Sequence, residues 1–145
     1  MENANDVALL FEVYQNARIG MDAIDMILPK TKDLGLIGDL SAQRSRYLDV
    51  AKKAAQHLLD CNVFPADHNM LGKSALWASV QFSTLLDATP KHLAQLMING
   101  SRKGVDELNV LLAQHMQAEQ QTADLANEFI ALEQNNMEKL NTYLS

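Results

Sequence analysis

The chain has a single cysteine, Cys61, among 145 residues. No intrachain disulfide is therefore possible, and a reducing compartment is expected. It also lacks a basic patch: 12 Lys and Arg stand against 18 Asp and Glu, for a net charge of −6. Nucleic acid and anionic membrane surfaces both demand concentrated positive charge, so neither is an expected partner. No uninterrupted apolar run approaches membrane-spanning length. The opening Met1-Glu2-Asn3-Ala4-Asn5-Asp6 is acidic and polar, unlike a secretory signal with its basic and then apolar stretches. A soluble cytoplasmic protein is expected. The three prolines read as punctuation: Pro29 ends a helical pattern, Pro65 lies in a turn, and Pro90 opens a helix.

What the chain does have is apolar material and a helical rhythm. Hydrophobic residues make up 48% and charged residues 21%, enough for one core, so residues 1–145 read as a single domain. The organising stretch is 90–116. Thr89 caps it and Pro90 takes the first helical position, where a missing N–H costs nothing. Leu93, Met97, Gly100, Gly104, Leu108, Leu111 and His115 then recur at steps of three and four, one face of a long helix. Each glycine there costs about 1 kcal/mol relative to alanine, so close helix packing is expected at Gly104 and at Gly20.

Helices are also expected over 4–28, 39–61 and 120–143, with a shorter one over 69–86 anchored by Trp77. The first carries Leu9, Leu10, Val13, Ala17, Gly20, Ile24, Ile27 and Leu28 as its stripe. The second steps through Leu40, Gln43, Tyr47, Val50, Ala54, His57 and Cys61. The last steps through Ala126, Phe129, Glu133, Asn136, Leu140 and Tyr143. One internal likeness links two helices: Arg18-Ile19-Gly20-Met21-Asp22-Ala23-Ile24 aligns with Arg102-Lys103-Gly104-Val105-Asp106-Glu107-Leu108. Arginine, glycine and aspartate recur at matching places, as two related helical hairpins would require.

The sharpest chemical signal is polarity on inward faces. Glu133 and Asn136 stand between Phe129 and Leu140. Gln43 and Arg46 stand three apart near Tyr47 on the second helix, and Gln15 or Asn16 faces Asn99 under the hairpin alignment. Burying such groups costs several kcal/mol unless they find partners, so a polar layer across the helices is expected. Arg46 is the expected cation for Glu133, with Arg18 and Arg102 as alternatives.

The two-hairpin organisation, the long connection between the second and third long helices, and the polar positions on all four resemble the ferritin-like superfamily. The chain also resembles small ferritin-like bundle proteins of spore-forming bacteria, with the coat F type of spore protein as a more distant relative. His92-Leu93-Ala94-Gln95-Leu96-Met97-Ile98-Asn99-Gly100-Ser101 and Glu133-Gln134-Asn135-Asn136 carry the local likeness. The resemblance implies a di-iron site made of a Glu from each of two helices and a Glu-x-x-His from each of the others. Here Glu133 matches a glutamate, but Asn136 stands in place of its histidine. Gln43 and Arg46 replace the second pair, and Gln15 or Asn16 and Asn99 replace the single glutamates. The implied metal site is lost, because amides neutralise none of a metal's charge and Arg46 would repel it.

His57 and Cys61 lie four apart on one helix face with His68 downstream, a spacing that two zinc ligands can use. A core-edge histidine and a buried thiol are the ordinary reading. His92 reads as a first-turn residue and His115 as a last-turn residue favoured by the helix dipole. The whole reading is an all-α, up-and-down bundle of four long helices with a shorter crossing helix between the second and third long ones. Its expected role is a non-catalytic structural or interaction protein without cofactor, partnered by itself or by another protein. The alternative is a metal or small-ligand binder that uses Glu133.

Overall fold

A computed structural model describes residues 4–65 and 70–145; at 70–75 and at Trp77 the backbone alone is described. His68 and the anchoring role expected of Trp77 thus fall outside the described residues. The described chain is all-helical, with five α-helices and no strands: α1 Ala4–Ile27, α2 Leu34–Asp60, α3 Met70–Thr84, α4 Pro90–Gln114 and α5 Gln120–Asn141. A one-turn 3-10 segment, Leu28–Lys30, follows α1 and holds Pro29. No described helix is long and apolar enough to cross a membrane.

Helix ends follow local chemistry. Thr89 caps α4, its Oγ1 accepting from the His92 N–H at 3.3 Å. The α2 start corrects the sequence expectation by five residues, because the helix begins at Leu34 rather than at 39. Asp33 caps it, its Oδ1 accepting from the Leu36 N–H at 2.9 Å. The cap and the complete burial of Leu36 outweigh the propensity cost of Gly35 and Gly38 in the first turns. At the other end Asn62 adopts a left-handed φ of 62°, a conformation asparagine tolerates. Its N–H bonds Leu59 O at 2.9 Å and the Val63 N–H bonds Leu58 O at 2.8 Å, which closes the helix in a Schellman turn. The expected 69–86 helix stops earlier, at Thr84.

Contacts between helix ends give the packing. α1 lies against α2, α4 against α5, and both pairs meet through α1–α4 and α2–α5. Asn5 at the start of α1 meets His115 at the end of α4, Nδ1 to Oδ1 at 2.6 Å. Tyr143 beyond α5 donates to Asp39 near the start of α2 at 2.7 Å. Gln121 near the start of α5 donates to His57 near the end of α2 at 3.2 Å. Each of these neighbours is therefore antiparallel, and α2 and α4 run the same way. α3 returns the chain between them along α1, held at its far end by Lys30 Nζ donating to Gln81 Oε1 at 2.8 Å. The core between the four long helices includes Leu9, Ile24, Leu40, Leu58, Leu93, Leu108, Phe129 and Leu140, all fully buried.

Candidate functional site: a polar layer around Glu133

Antiparallel packing of α2 on α5 brings Tyr47 level with Glu133, midway along the core. Glu133 is 4% exposed. Its Oε1 accepts three hydrogen bonds: from the Tyr47 hydroxyl, from Ser101 Oγ on α4 at 3.1 Å, and from Asn136 Nδ2 one turn along α5 at 3.1 Å. The Tyr47 ring is 1% exposed and tilts against Phe129 with centroids 6.2 Å apart. α1 completes the layer through Asn16, whose Nδ2 donates to Glu12 Oε1 at 3.3 Å.

Two glycines lie against the central pair, and they are the two that the internal likeness aligns. A Cβ at Gly20 would lie 2.7 Å from the Tyr47 ring. A Cβ at Gly104 would lie 3.7 Å from Glu133 Oε2 and 3.8 Å from Asn16 Oδ1. Gly20 must therefore lack a Cβ to admit Tyr47, whereas Gly104 leaves beside Glu133 a gap that a Cβ could fill at ordinary contact distance. Gly100, expected on the same packed face, is a correction: a Cβ there would meet nothing within 4 Å.

The sequence-derived candidates divide as follows. Tyr47, Glu133 and Asn136 meet in one network, and Asn16 borders it. Gln43 is fully buried on α2, and neither of its amide atoms has a hydrogen-bond partner among the described residues. Asn136 Oδ1 and Arg46 Nε are likewise buried without one. Asn99 is exposed and accepts from Gln95 at 2.9 Å, outside the layer. Gln15 is half-buried on α1. The expected Arg46 pairing with Glu133 is replaced by hydroxyl and amide donors, one of them, Ser101, missing from the expected layer.

This donor set fixes the electrostatics. Burial pushes the Glu133 carboxyl above the usual glutamate range, while the bonds from Tyr47, Asn136 and Ser101 pull only partly the other way. Burial and the adjacent Glu133 also raise the Tyr47 phenol, which stays protonated as a donor. Between the ordinary glutamate range and Glu133's raised folded value, the native state keeps a proton that the unfolded chain has released. This contribution to stability is therefore full below that window and is lost as pH rises through it.

A carboxylate-bridged metal pair needs several anionic oxygens and two imidazoles. The layer provides one carboxylate, whose Oε1 is already taken by three protein donors. Asn136, where the resemblance would call for a histidine, turns its amide donor to that same oxygen. These residues do not fit such a centre. Elsewhere, His57, Cys61, Asp6, Asp60 and Glu119 line an acidic cleft at the α1 start. Asp6 there accepts from the Glu119 N–H at 2.8 Å, tying the start of α5 to α1. Among the described residues no three His, Cys, Asp or Glu side chains are grouped to hold a metal ion. His92, in the first turn of α4 as expected, bonds Ser83 through Nε2, at 2.9 Å to Oγ and 2.9 Å to the carbonyl.

Beside the layer lies a cavity of about 160 Å³ between α1, α3 and α4, with Glu133 and Tyr47 at its floor. Ile19, Ala23, Ile27, Val80, Leu96 and Met97 are among the apolar residues of its wall. Compared with known protein families, with curated proteins and with solved structures, the chain matches none.

Proposed function

We propose that this chain is a non-catalytic structural or interaction protein, a ferritin-like bundle whose metal centre has been replaced by a hydrogen-bonded layer. The observation that carries this reading is the saturation of Glu133 Oε1 by Tyr47, Ser101 and Asn136. Such a layer fixes the alignment of α2, α4 and α5, because a shifted helix would strand buried polar groups. The shared direction of α2 and α4, with α3 returning between them, also supports the ferritin-like assignment. Its setting is cytoplasmic, and its partner is a second copy or another protein. Phe82, Leu85 and Leu86, 83%, 76% and 97% exposed at the end of α3, support a protein-facing surface there.

Metal analysis of protein purified without chelator tests the reading. No stoichiometric iron, manganese or zinc is expected. About one or two tightly held equivalents, lost on Glu133→Ala, would overturn it, since carboxylate ligation is the chemistry the layer has given up.

A further inference from the structure

The second oxygen of Glu133 has a different environment from the first. Oε1 carries all three hydrogen bonds, whereas Oε2 faces the space left by the missing side chain of Gly104. Asn16 Oδ1, from α1, points at that same space: the two acceptors lie 3.7 and 3.8 Å from the position a Cβ would take. The cavity opens there, and Glu133 is the only charged side chain among the described residues that line it. A buried carboxylate with no cation against it among the described residues, an amide oxygen beside it and an apolar chamber beyond form a recognition pattern. They fit a small molecule with one positive, hydrogen-donating end and one apolar body.

We propose that this cavity is a binding site for a small organic amine. The protonated primary amine sits over Gly104 and donates to Glu133 Oε2 and Asn16 Oδ1. Its apolar body lies against Ile19, Leu96 and Met97. A cavity of about 160 Å³ matches a benzene-sized body, since an apolar cavity of roughly 150 Å³ takes up benzene. The charge argument selects an amine over an alcohol. Either can donate, but the amine alone supplies the countercharge the carboxylate lacks, and hydrogen bonds to charged groups are the stronger. Anionic ligands are excluded by repulsion from Glu133. This site is independent of the structural role proposed above and uses the oxygen that role leaves open.

Benzylamine is the probe, with benzyl alcohol as its near-isosteric neutral control, and binding is followed by calorimetry and by methyl NMR. Benzylamine is expected to bind the wild type, with benzyl alcohol at least about tenfold weaker, as the loss of a charge-assisted bond implies. Shifts should centre on the methyls of Ile19 and Met97. Glu133→Gln keeps the Oε1 acceptor and should lose about tenfold or more in benzylamine affinity. Gly104→Ala places a methyl between the two acceptors at ordinary contact distances. It should abolish benzylamine binding while its melting temperature stays level or rises, which separates a blocked site from a damaged fold. The proposal is overturned by absent benzylamine binding, by equal affinity for the alcohol, or by binding that survives Gly104→Ala. Shifts centred instead on Leu10, in the acidic cleft, would also overturn it.

Discussion

Gly20→Ala is expected to destabilise the protein by about 1–3 kcal/mol, the usual cost of overpacking, although alanine is the better helix former by about 1 kcal/mol. The added Cβ would sit 2.7 Å from the Tyr47 ring, closer than carbon atoms approach. The ring has little freedom to yield. It is 1% exposed, packs against Phe129 and is tethered through its hydroxyl to Glu133. Moving it aside breaks the hydrogen bond at the centre of the layer. Gly104→Ala is the matched control, because its Cβ would find only ordinary contacts and should leave stability unchanged or higher. Urea denaturation of the two variants checks the contrast. A Gly20→Ala protein as stable as Gly104→Ala would show that Tyr47 is not held.

The second large effect concerns what Glu133 contributes: an acceptor, not a charge. Glu133→Leu removes the common acceptor of three donors, Tyr47, Ser101 and Asn136. A buried donor left unsatisfied costs about 1–3 kcal/mol, and two hydroxyls can partly reorient, so a loss of about 3 kcal/mol is expected. Glu133→Gln keeps an oxygen for the same donors and removes the part of the group that burial disfavours. At neutral pH it should be at least as stable as the wild type. Equal damage from both substitutions would mean that the charge itself is needed, and that a cation partners it.

Much of this was legible in the residues. On α5 the steps through Ala126, Phe129, Glu133, Asn136 and Leu140 mark side chains that are all buried. The reason is plain: an uninterrupted three-and-four rhythm leaves one inward face. The same holds on α2 from Leu40 through Gln43, Tyr47, Val50 and Ala54. On α4 the expected inward face holds at Leu93, Met97, Gly104 and Leu108, which are buried, but not at Gly100. Asn99 entered the expected layer through the hairpin alignment, but it is Ser101 that is buried, on a row with Ala94, Met97, Val105 and Leu108. Their own spacing of three and four contained the signal that puts Ser101 inside and leaves Gly100 exposed.

Other features could not be read from periodicity. The α2 start was hidden because Gly35 and Gly38 lower local helix propensity, while Asp33 and Leu36 supply a cap and an anchor that only packing reveals. The choice of hydroxyl and amide donors over Arg46 depends on where side chains end in three dimensions. Spacing along one helix says which face a residue takes, not which group from a neighbouring helix reaches it. The cavity was invisible for the same reason, since residues of all five helices line it.

The central claim is that Glu133 is buried among neutral donors, with no cation among the described residues to balance it. Direct titration of its carboxyl carbon by NMR, assigned with Glu133→Gln, tests that claim. The account predicts a pKa above that of an ordinary glutamate, near 4.3, and a wild-type stability that falls relative to Glu133→Gln as pH rises through the same window. A carboxyl titrating at or below the ordinary glutamate value would contradict the account, because burial would then be outweighed by a paired positive charge or by the hydrogen bonds to the ionised form.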